Sequence, residues 1–275
     1  MQLTPNIAEE LQKLRNDDFL TNKEKIIPIL SDLLINAVKK RLSDKPIGIA
    51  FSGGVDSTLI AFLCDKLNQP FTLYSVGFED SKDIISSEEV AKHFGWKRKV
   101  KILTIEDIEQ LCKQVIKITG RTDVITVGVG SVDIAVLSMM DEDIIFTGLG
   151  SEEIFAGYER HRDNIHEACW EGILKIYDRD LIRDLTIGKH YNKELRTPFL
   201  DKELIEYGMR IDPKLKVQEF KKQILRETAV HLGLPEKFAF RKKSAAQYGS
   251  KIDNAIAKLA KKKGLLKNEY LATLI

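Results

Sequence analysis

Apolar positions with helical spacing fill the first part of the chain. Residues 1–44 carry a stripe of apolar side chains at mostly three- and four-residue intervals, which predicts two helices with one face toward a core. The stripe consists of Ile26, Leu30, Leu33, Leu34, Ala37, Val38 and Leu42. Thr21 and Glu24 have the spacing of a capping box at a helix start. Pro28 favours a regular helix that begins only after it.

Short apolar runs and helical segments alternate over residues 45–160. Strands are predicted at 47–51, 71–78, 99–103 and 144–147, and helices at 57–66, 86–94, 105–118 and 131–140. This alternation is typical of an α/β fold with a doubly wound, mainly parallel sheet and helices on both faces. Beyond about residue 158 the strand pattern fades and helix-like segments follow. The pattern therefore predicts an N-terminal helical segment (1–44), an α/β core (45–160) and a helical part (161–275).

Composition narrows the class of protein without defining it. The chain has 275 residues, 43% of them hydrophobic and 31% charged, which is typical of a soluble protein with a substantial core. The net charge of +2 gives no general attraction to polyanions. Cys64, Cys112 and Cys169 are odd in number and widely spaced, which predicts reduced thiols and a cytoplasmic location. Neither a signal peptide nor a membrane span is predicted.

The segment Ser52-Gly53-Gly54-Val55-Asp56-Ser57 carries the strongest chemical signal. It lies between a predicted buried strand and a predicted helix. Two glycines allow close backbone approach to an anion, and loop N–H groups at a helix start favour phosphate oxygens. A carboxylate inside an anion site makes sense mainly if it binds a cation, and Mg²⁺ held by one or two carboxylates fits. The alternative is a plain Gly-Gly turn with a helix cap.

This loop differs from the Walker type because no lysine follows its glycines, which disfavours transfer of a γ-phosphate. Its Ser-Gly-Gly-x-Asp-Ser form resembles the signature of the pyrophosphate-loop family of ATP pyrophosphatases. The resemblance implies an adenine nucleotide alpha hydrolase-like fold. It also implies a loop that binds the β- and γ-phosphates of ATP while a substrate oxygen attacks the α-phosphate, so that AMP and pyrophosphate are released.

Within that family, residues from about 29 to 253 resemble the synthetase domain of asparagine synthetases. Four segments carry the resemblance, in the family's order: PIGIAFSGGVDST at 46–58, TGLGSEEIFAGY at 147–158, LRTPFLD at 195–201, and KQILR at 222–226 followed by Arg241-Lys242-Lys243. The resemblance implies an ATP-dependent ligase that adenylates a carboxylate or carbonyl oxygen and then forms a carbon–nitrogen bond. It also implies ATP and Mg²⁺ as cofactors and asparagine biosynthesis as the family's reaction.

The resemblance also implies the candidate site residues. The implied catalytic residues are Lys243, Asp56, Glu152 and Asp201, with Lys243 at the α-phosphate. The implied nucleotide-binding residues are Ser52, Gly53, Gly54, Asp56, Ser57, Val76, Gly148, Lys222 and Arg241, and the implied metal ligands are Asp56 and Glu152.

Several of these residues also have a structural alternative. Glu152 could merely complement the dipole at a helix start. Asp201 is predicted to cap a helix, and it could do no more than that. Lys222 with Arg226 could be a solvated basic face. Arg241 and Lys243 alternate in a segment predicted to be extended, so their side chains would point the same way. Gly128-Val129-Gly130-Ser131 is either a second anion-binding turn or an ordinary loop before the helix predicted at 131–140.

Departures from asparagine synthetases leave the substrate open. Leu149 stands where the family usually has an acid, and Glu152 stands where it has an aspartate. A leucine cannot act as an acid, a base or an amine ligand, which argues against aspartate as the substrate. The chain begins Met1-Gln2 without a cysteine nucleophile, so no glutaminase is expected within it. The tail from Lys243 to Ile252 resembles the asparagine-synthetase-domain-containing proteins.

Three functional hypotheses follow. The first is an ATP-dependent ligase acting on a small molecule, with a separate ammonia-supplying subunit or a homodimer as partners left open. The second is a tRNA-modifying enzyme of the same loop family, although aromatic residues for base stacking are absent beside the basic residues at 258–267. The third is a diverged nucleotide-binding subunit. Cys64, one helical turn after Ile60, is predicted to be a core residue.

Overall fold

A five-stranded sheet lies at the centre of the fold. The computed structural model describes residues 6–158, 164–242 and 246–274. Its strands are β1 (Ile47–Ala50), β2 (Phe71–Gly77), β3 (Arg98–Ile102), β4 (Ile144–Phe146) and β5 (Glu194–Arg196). The strand order is β3-β2-β1-β4-β5, and every neighbouring pair is parallel. The predicted mainly parallel α/β sheet is confirmed.

Helices precede, connect and follow the strands. In chain order they are α1 (Ile7–Gln12), α2 (Lys23–Lys39), α3 (Val55–Lys66), α4 (Lys82–Phe94), α5 (Ile105–Thr119), α6 (Val124–Leu137), α7 (Ser151–Ile154), α8 (Ile165–Leu174), α9 (Ile182–His190), α10 (Lys202–Met209), α11 (Pro213–Lys216), α12 (Gln223–His231), α13 (Glu236–Ala239), α14 (Ala246–Gly249), α15 (Ile252–Lys262) and α16 (Lys267–Ala272). A π-helical turn at Tyr177–Leu181 leads into α9, and a 3₁₀ turn at Pro198–Leu200 precedes α10.

Two apolar clusters cover the two faces of the sheet. Neighbouring strand residues point to opposite faces, so Leu73 joins one cluster while Tyr74 joins the other. The first cluster includes side chains of α2, α3 and α12, and the second includes side chains of α5, α6 and α15. Helices therefore pack on both faces, as the doubly wound prediction requires.

The strand order reverses direction at β1. The chain moves outward from β1 through β2 to β3, then returns to place β4 on the other side of β1. In open α/β sheets, ligands bind outside the carboxyl ends of the strands at such a switch point. The segments that follow β1 and β4, residues 51–54 and 147–150, meet there. Both carry glycines that the sequence assigned to nucleotide binding.

The start of α2 differs from the prediction. Asn22, not Thr21, is the N-cap, and its side chain accepts a hydrogen bond from the Lys25 N–H at 3.1 Å. The predicted capping box is therefore wrong. The helix also continues through Pro28, which was predicted to precede it. Burial of Ile26 and other apolar residues on both sides of the proline offsets the hydrogen bond that proline cannot make.

Two further elements were wrongly predicted. Gly128 and Gly130 lie inside α6, so they form neither an anion-binding turn nor a loop. A Cβ at residue 130 would lie 2.9 Å from Val115 Cγ1, so glycine allows α6 to pack closely against α5. Strand β5 was missed, although it pairs with β4 over three residues and extends the sheet. The helical part of the chain thus contributes one strand, and the predicted boundary near residue 160 stays a prediction.

Candidate active site

The loop after β1 has a backbone shape that requires glycine. Gly53 has a φ of +70°, and a Cβ there would lie 2.6–2.7 Å from the backbone of Ser86 and Ser87. Helix α3 begins at Val55, two residues earlier than predicted, so Asp56 and Ser57 lie in its first turn. The first N–H groups of a helix have no acceptors within the helix, and the macrodipole adds positive potential there. The loop therefore has the shape and the positive potential that suit an anion.

A buried lysine connects the two glycine-rich segments. Lys222 Nζ lies 2.7 Å from Asp56 Oδ2, 2.8 Å from Glu152 Oε1 and 3.3 Å from Ser151 Oγ. Ser151 Oγ in turn donates to Asp56 Oδ1 at 2.6 Å. Asp56 comes from α3, Ser151 and Glu152 from α7, and Lys222 immediately precedes α12. Three separate parts of the chain therefore converge at the switch point.

The surroundings of Lys222 explain its charge. The residue is only 4% exposed and Asp56 only 5%. Burial lowers the pKa of Lys222, but the carboxylates of Asp56 and Glu152 raise it more, so that the net pKa lies above its usual value. Gly157 makes the arrangement sterically feasible, because a Cβ there would lie 1.6 Å from Glu152 Oε2 and 2.3 Å from Lys222 Cε.

The alternative of a solvated basic face for Lys222 and Arg226 is wrong. Arg226 is 6% exposed, and its guanidinium donates to the carbonyls of Ala239 at 2.6 Å and Arg241 at 3.0 Å. Arg226 thus fixes the backbone that leads to Arg241. Arg241 Nη1 donates to the Ser86 carbonyl at 3.0 Å, and Ser86 packs directly against Gly53. Arg241 therefore lies beside the loop that follows β1.

The donor set around Lys222 fits a divalent cation. Two carboxylates and one hydroxyl present oxygen atoms to a single positively charged group, and the ammonium stands where a metal ion could lie. Mg²⁺ is commonly held by one or two carboxylates together with phosphate oxygens. Over the described ranges, no cluster of three or more His, Cys, Asp or Glu side chains is placed to hold a metal ion. A magnesium site here would need oxygens from a bound nucleotide.

A cleft of about 230 Å³ opens beside this cluster. Of the predicted site residues, it is lined by Ser52, Asp56, Ser57, Val76, Gly148 and Glu152. Val76 lies near the carboxyl end of β2 and is 4% exposed, so it offers an apolar wall. Leu149 also lines the cleft, so the position at which the family usually has an acid contributes an apolar side chain here.

One predicted catalytic residue, Asp201, is not part of this arrangement, and another cannot be placed in it. Asp201 occupies the N-cap position of α10, but its side chain makes no capping bond. Its carboxylate instead pairs with Arg41 at 3.1 Å and Lys40 at 3.3 Å. Despite burial, which raises the pKa, these cations lower the pKa of Asp201 below its usual value. Asp201 does not line the cleft. Lys243 lies outside the described residues, and its position at the α-phosphate stays a prediction.

The wall opposite the loop contains charged residues that the sequence analysis missed. Arg183 is 3% exposed and lines the cleft with Asp133, Asp180 and Asp184. Its guanidinium lies 2.7 Å from Asp184 Oδ1, 3.3 Å from Asp180 Oδ1 and 3.6 Å from Asp133 Oδ2. One signal was present in the sequence: Asp133 is the only charged residue in the apolar helix VITVGVGSVDIAVL.

The cysteines are all core residues. Cys64, Cys112 and Cys169 are each 0% exposed, which confirms the prediction made for Cys64. Burial raises the pKa of the Cys64 and Cys112 thiols to about 12. Within the described ranges, no helix is both long and apolar enough to cross a membrane.

Fold and site together define the class of protein, an α/β domain with a glycine-rich loop and two carboxylates paired with a buried lysine at the switch point of a parallel sheet. The chain belongs to the asparagine synthase family, whose model matches residues 30–173 and 160–272. The family that the sequence motifs indicated is thus confirmed.

Relatives share the sequence over most of this chain. A protein of Methanocaldococcus jannaschii named as a glutamine-hydrolysing asparagine synthetase is 34% identical over 88% of this chain and 53% of its own length. The human asparagine synthetase is 31% identical over 79% of this chain and 42% of its own length. The chain thus spans about half the length of these relatives.

Proposed function

We propose that the chain is an ATP-dependent ligase that releases AMP and pyrophosphate and forms a carbon–nitrogen bond. The observation that carries the proposal is the convergence of Asp56, Glu152 and Lys222 beside the phosphate-binding loop at the switch point. Family membership supports it, and so does the absence of a Walker lysine from the loop sequence.

Each part of the site has a role in the proposal. The N–H groups of the loop and of the first turn of α3 bind the β- and γ-phosphates, and Val76 packs against the adenosine. Asp56 and Glu152 hold Mg²⁺, which neutralises phosphate charge when bound. Lys222 keeps the two carboxylates close together until Mg²⁺ takes the place of its ammonium, and Arg241 adds positive charge beside the loop. Lys243 acts at the α-phosphate, where a substrate oxygen attacks. A small molecule with a carboxylate or carbonyl oxygen is the substrate.

Product analysis tests the cleavage site. The protein is incubated with Mg²⁺, ATP labelled in the α-phosphate and a panel of carboxylic acids that includes L-aspartate, and the products are separated by chromatography. We expect labelled AMP together with pyrophosphate. ADP and orthophosphate as the sole products would refute the proposal. Exchange of labelled pyrophosphate into ATP, measured acid by acid, identifies the substrate that is adenylated.

We propose that the nitrogen arrives as ammonia rather than by glutamine hydrolysis at a cysteine of this chain. A cysteine-dependent glutaminase needs an accessible thiolate. All three cysteines are fully buried, and burial raises the pKa of two of them to about 12. Ammonium salts should therefore support turnover in a reaction where glutamine alone does not. Equal rates with glutamine alone would refute this proposal. An ammonia-supplying partner subunit, a homodimer and a cytoplasmic location remain parts of the proposal.

A further inference from the structure

Strand β3 forms one edge of the sheet and pairs on one side only. In the strand order β3 has β2 as its single neighbour among the described residues. Two hydrogen bonds fix the phase of this pair: the Leu73 N–H donates to the Lys97 carbonyl at 2.9 Å, and the Leu103 N–H donates to the Gly77 carbonyl at 2.9 Å. In a parallel pair, every second residue of a strand directs both backbone groups to the same neighbour. The odd-numbered residues of β3 therefore bond β2.

The even-numbered residues of β3 direct their backbone groups to the open side. These residues are Arg98, Val100 and Ile102, and no strand lies beyond them in the part of the chain that the structure describes. A row of unpaired N–H and C=O groups on an edge strand is a template for one more strand. Other proteins bind extended peptides at such an edge, with affinity from backbone hydrogen bonds and specificity from alternate side chains. The side chains on the two faces of β3 therefore indicate which segment would fit.

One face of this edge is apolar and exposed. Val100 is 38% exposed and Ile102 46%, and both point to the same face of the sheet as Arg98. Helix α4 lies on that face, because the Arg98 guanidinium donates to the Ile84 carbonyl at 3.0 Å. The next residue of α4, Ile85, is 57% exposed. Lysines alone would protect an open edge, so exposed β-branched side chains at the same place favour a surface that a partner covers.

The other face of β3 and the residue before the strand are basic. Lys97, Arg98, Lys99 and Lys101 place four cations within five residues. Lys99 pairs with Asp141, whereas Lys101 makes no ion pair within the described ranges. A second copy of β3 would place lysines opposite lysines, which destabilises a strand pair. A strand that carries carboxylates at those positions would instead form opposite-charge pairs, so the charge of the edge fits an acidic partner.

We propose that the open edge of β3 binds an extended segment of a protein partner in which acidic residues alternate with apolar ones. The apolar side chains of the segment pack against Val100, Ile102 and Ile85. Its carboxylates lie on the opposite face beside Lys99 and Lys101, and its backbone completes the hydrogen bonds of the edge. No residue of β3 lines the cleft, and the inference does not depend on the proposed ligase function.

Binding of a synthetic peptide tests the proposal without knowledge of the natural partner. The probe is a heptapeptide of alternating glutamate and valine with blocked termini, titrated against the full chain by isothermal calorimetry. A control peptide of the same length carries lysine in place of glutamate. We expect saturable binding of the glutamate peptide and binding of the lysine peptide that is weaker by at least about tenfold, because its charges meet the lysines of β3.

Matched variants separate backbone pairing from attraction between charges. Val100→Pro removes an N–H group that β2 does not use, and proline is tolerated on an edge strand when its nitrogen faces outward. The ring also blocks an added strand, so the affinity for the glutamate peptide should fall by about tenfold or more. Lys101→Glu and Ile102→Ser change one face each with the backbone intact, and both should weaken binding. Lys117→Gln, at an exposed lysine of α5, should bind like the parent chain. The unfolding temperature shows that each variant is folded.

Three results would overturn the proposal. No saturable binding of the glutamate peptide would mean that the lysines of β3 only protect the edge. Unchanged affinity in a folded Val100→Pro variant, or in both Lys101→Glu and Ile102→Ser if the proline variant unfolds, would show that the peptide binds elsewhere. A parent chain that is dimeric by light scattering and monomeric as Val100→Pro would assign the edge to a second copy instead of an acidic partner.

Discussion

Replacement of Lys222 by methionine tests whether the ion pairs that Lys222 makes at the switch point stabilise the folded protein. Methionine keeps an unbranched apolar stem but removes the ammonium that contacts Asp56 at 2.7 Å and Glu152 at 2.8 Å. Because Lys222 and Asp56 are each about 95% buried, solvent cannot replace the lost contacts. Removal of one partner from a buried ion pair typically costs about 3–5 kcal/mol.

This cost converts into a measurable shift in unfolding temperature. For a domain of this size, 1 kcal/mol corresponds to about 2–4 °C, so Lys222→Met should unfold roughly 6–20 °C below the parent chain. Mg²⁺ should restore part of the loss, since the metal ion uses the same carboxylates. The Mg²⁺-induced increase should therefore be larger in the variant than in the parent.

The unfolding temperature is measured by calorimetry or circular dichroism, once in EDTA alone and once with a tenfold excess of Mg²⁺ over EDTA. Lys214→Met, at an exposed lysine, is the matched control and should shift the unfolding temperature little. A Lys222→Met protein as stable as the control would show that the buried pair contributes nothing. A large loss that Mg²⁺ leaves unchanged would refute the overlap between the lysine and metal sites.

Four further predictions concern single side chains. Asp56→Asn should abolish Mg²⁺-dependent turnover with an unchanged circular dichroism spectrum, because an amide is a poorer magnesium ligand; full activity at limiting Mg²⁺ would mean that Asp56 only supports the helix. Gly157→Ala should cost about 1–3 kcal/mol in urea unfolding, since the new Cβ would lie 1.6 Å from Glu152 Oε2 and force the cluster apart; an unchanged midpoint would contradict the packing. For Asp133, burial raises the pKa in the folded protein, so the folded chain holds a proton that the unfolded chain has already lost. The parent chain therefore loses stability as the pH rises above the ordinary pKa of an aspartate, by up to about 1.4 kcal/mol per pH unit until the raised pKa is passed. Asp133→Asn should lack this loss, and parallel stability curves from pH 4 to pH 8 would show that Asp133 is not perturbed. Lys243→Ala should lower turnover by roughly a hundred- to a thousandfold and change ATP affinity only a few-fold, as measured by steady-state kinetics and equilibrium binding; equal losses in both would make Lys243 a ground-state phosphate ligand.

Elements with strong local patterns were predictable from the sequence. β1, β2 and β4 are buried, mainly apolar runs, and the glycine pair after β1 supplies the positive φ that the loop adopts at Gly53. β5 could not be found in this way. It has three residues, of which Glu194 is exposed, and pairing with β4 rather than any periodicity makes it a strand.

The residues of the site likewise divide into those that the sequence predicted and those that it did not. Ser52 to Ser57 and Glu152 were assigned from motifs that are contiguous in the sequence, and they meet at the cleft. The burial of Lys222 was not predictable, because its partners come from α3 and α7 and its sequence neighbours are polar. The charged residues around Arg183 were missed for a related reason: Asp133 and Asp184 come from different helices, and only the fold brings both carboxylates to the same guanidinium.

The distance in sequence between Asp56 and Lys222 has a consequence for the order in which the protein matures. The two residues are 166 positions apart, although their side chains are in contact. A ribosome that adds about 5–20 residues per second needs roughly 8–33 s to pass from one to the other. During that interval the nascent chain already carries the phosphate-binding loop but cannot complete the cluster. If the cluster binds nucleotide as proposed, tight binding therefore begins only after the segment that carries Lys222 has been made and has folded onto the loop.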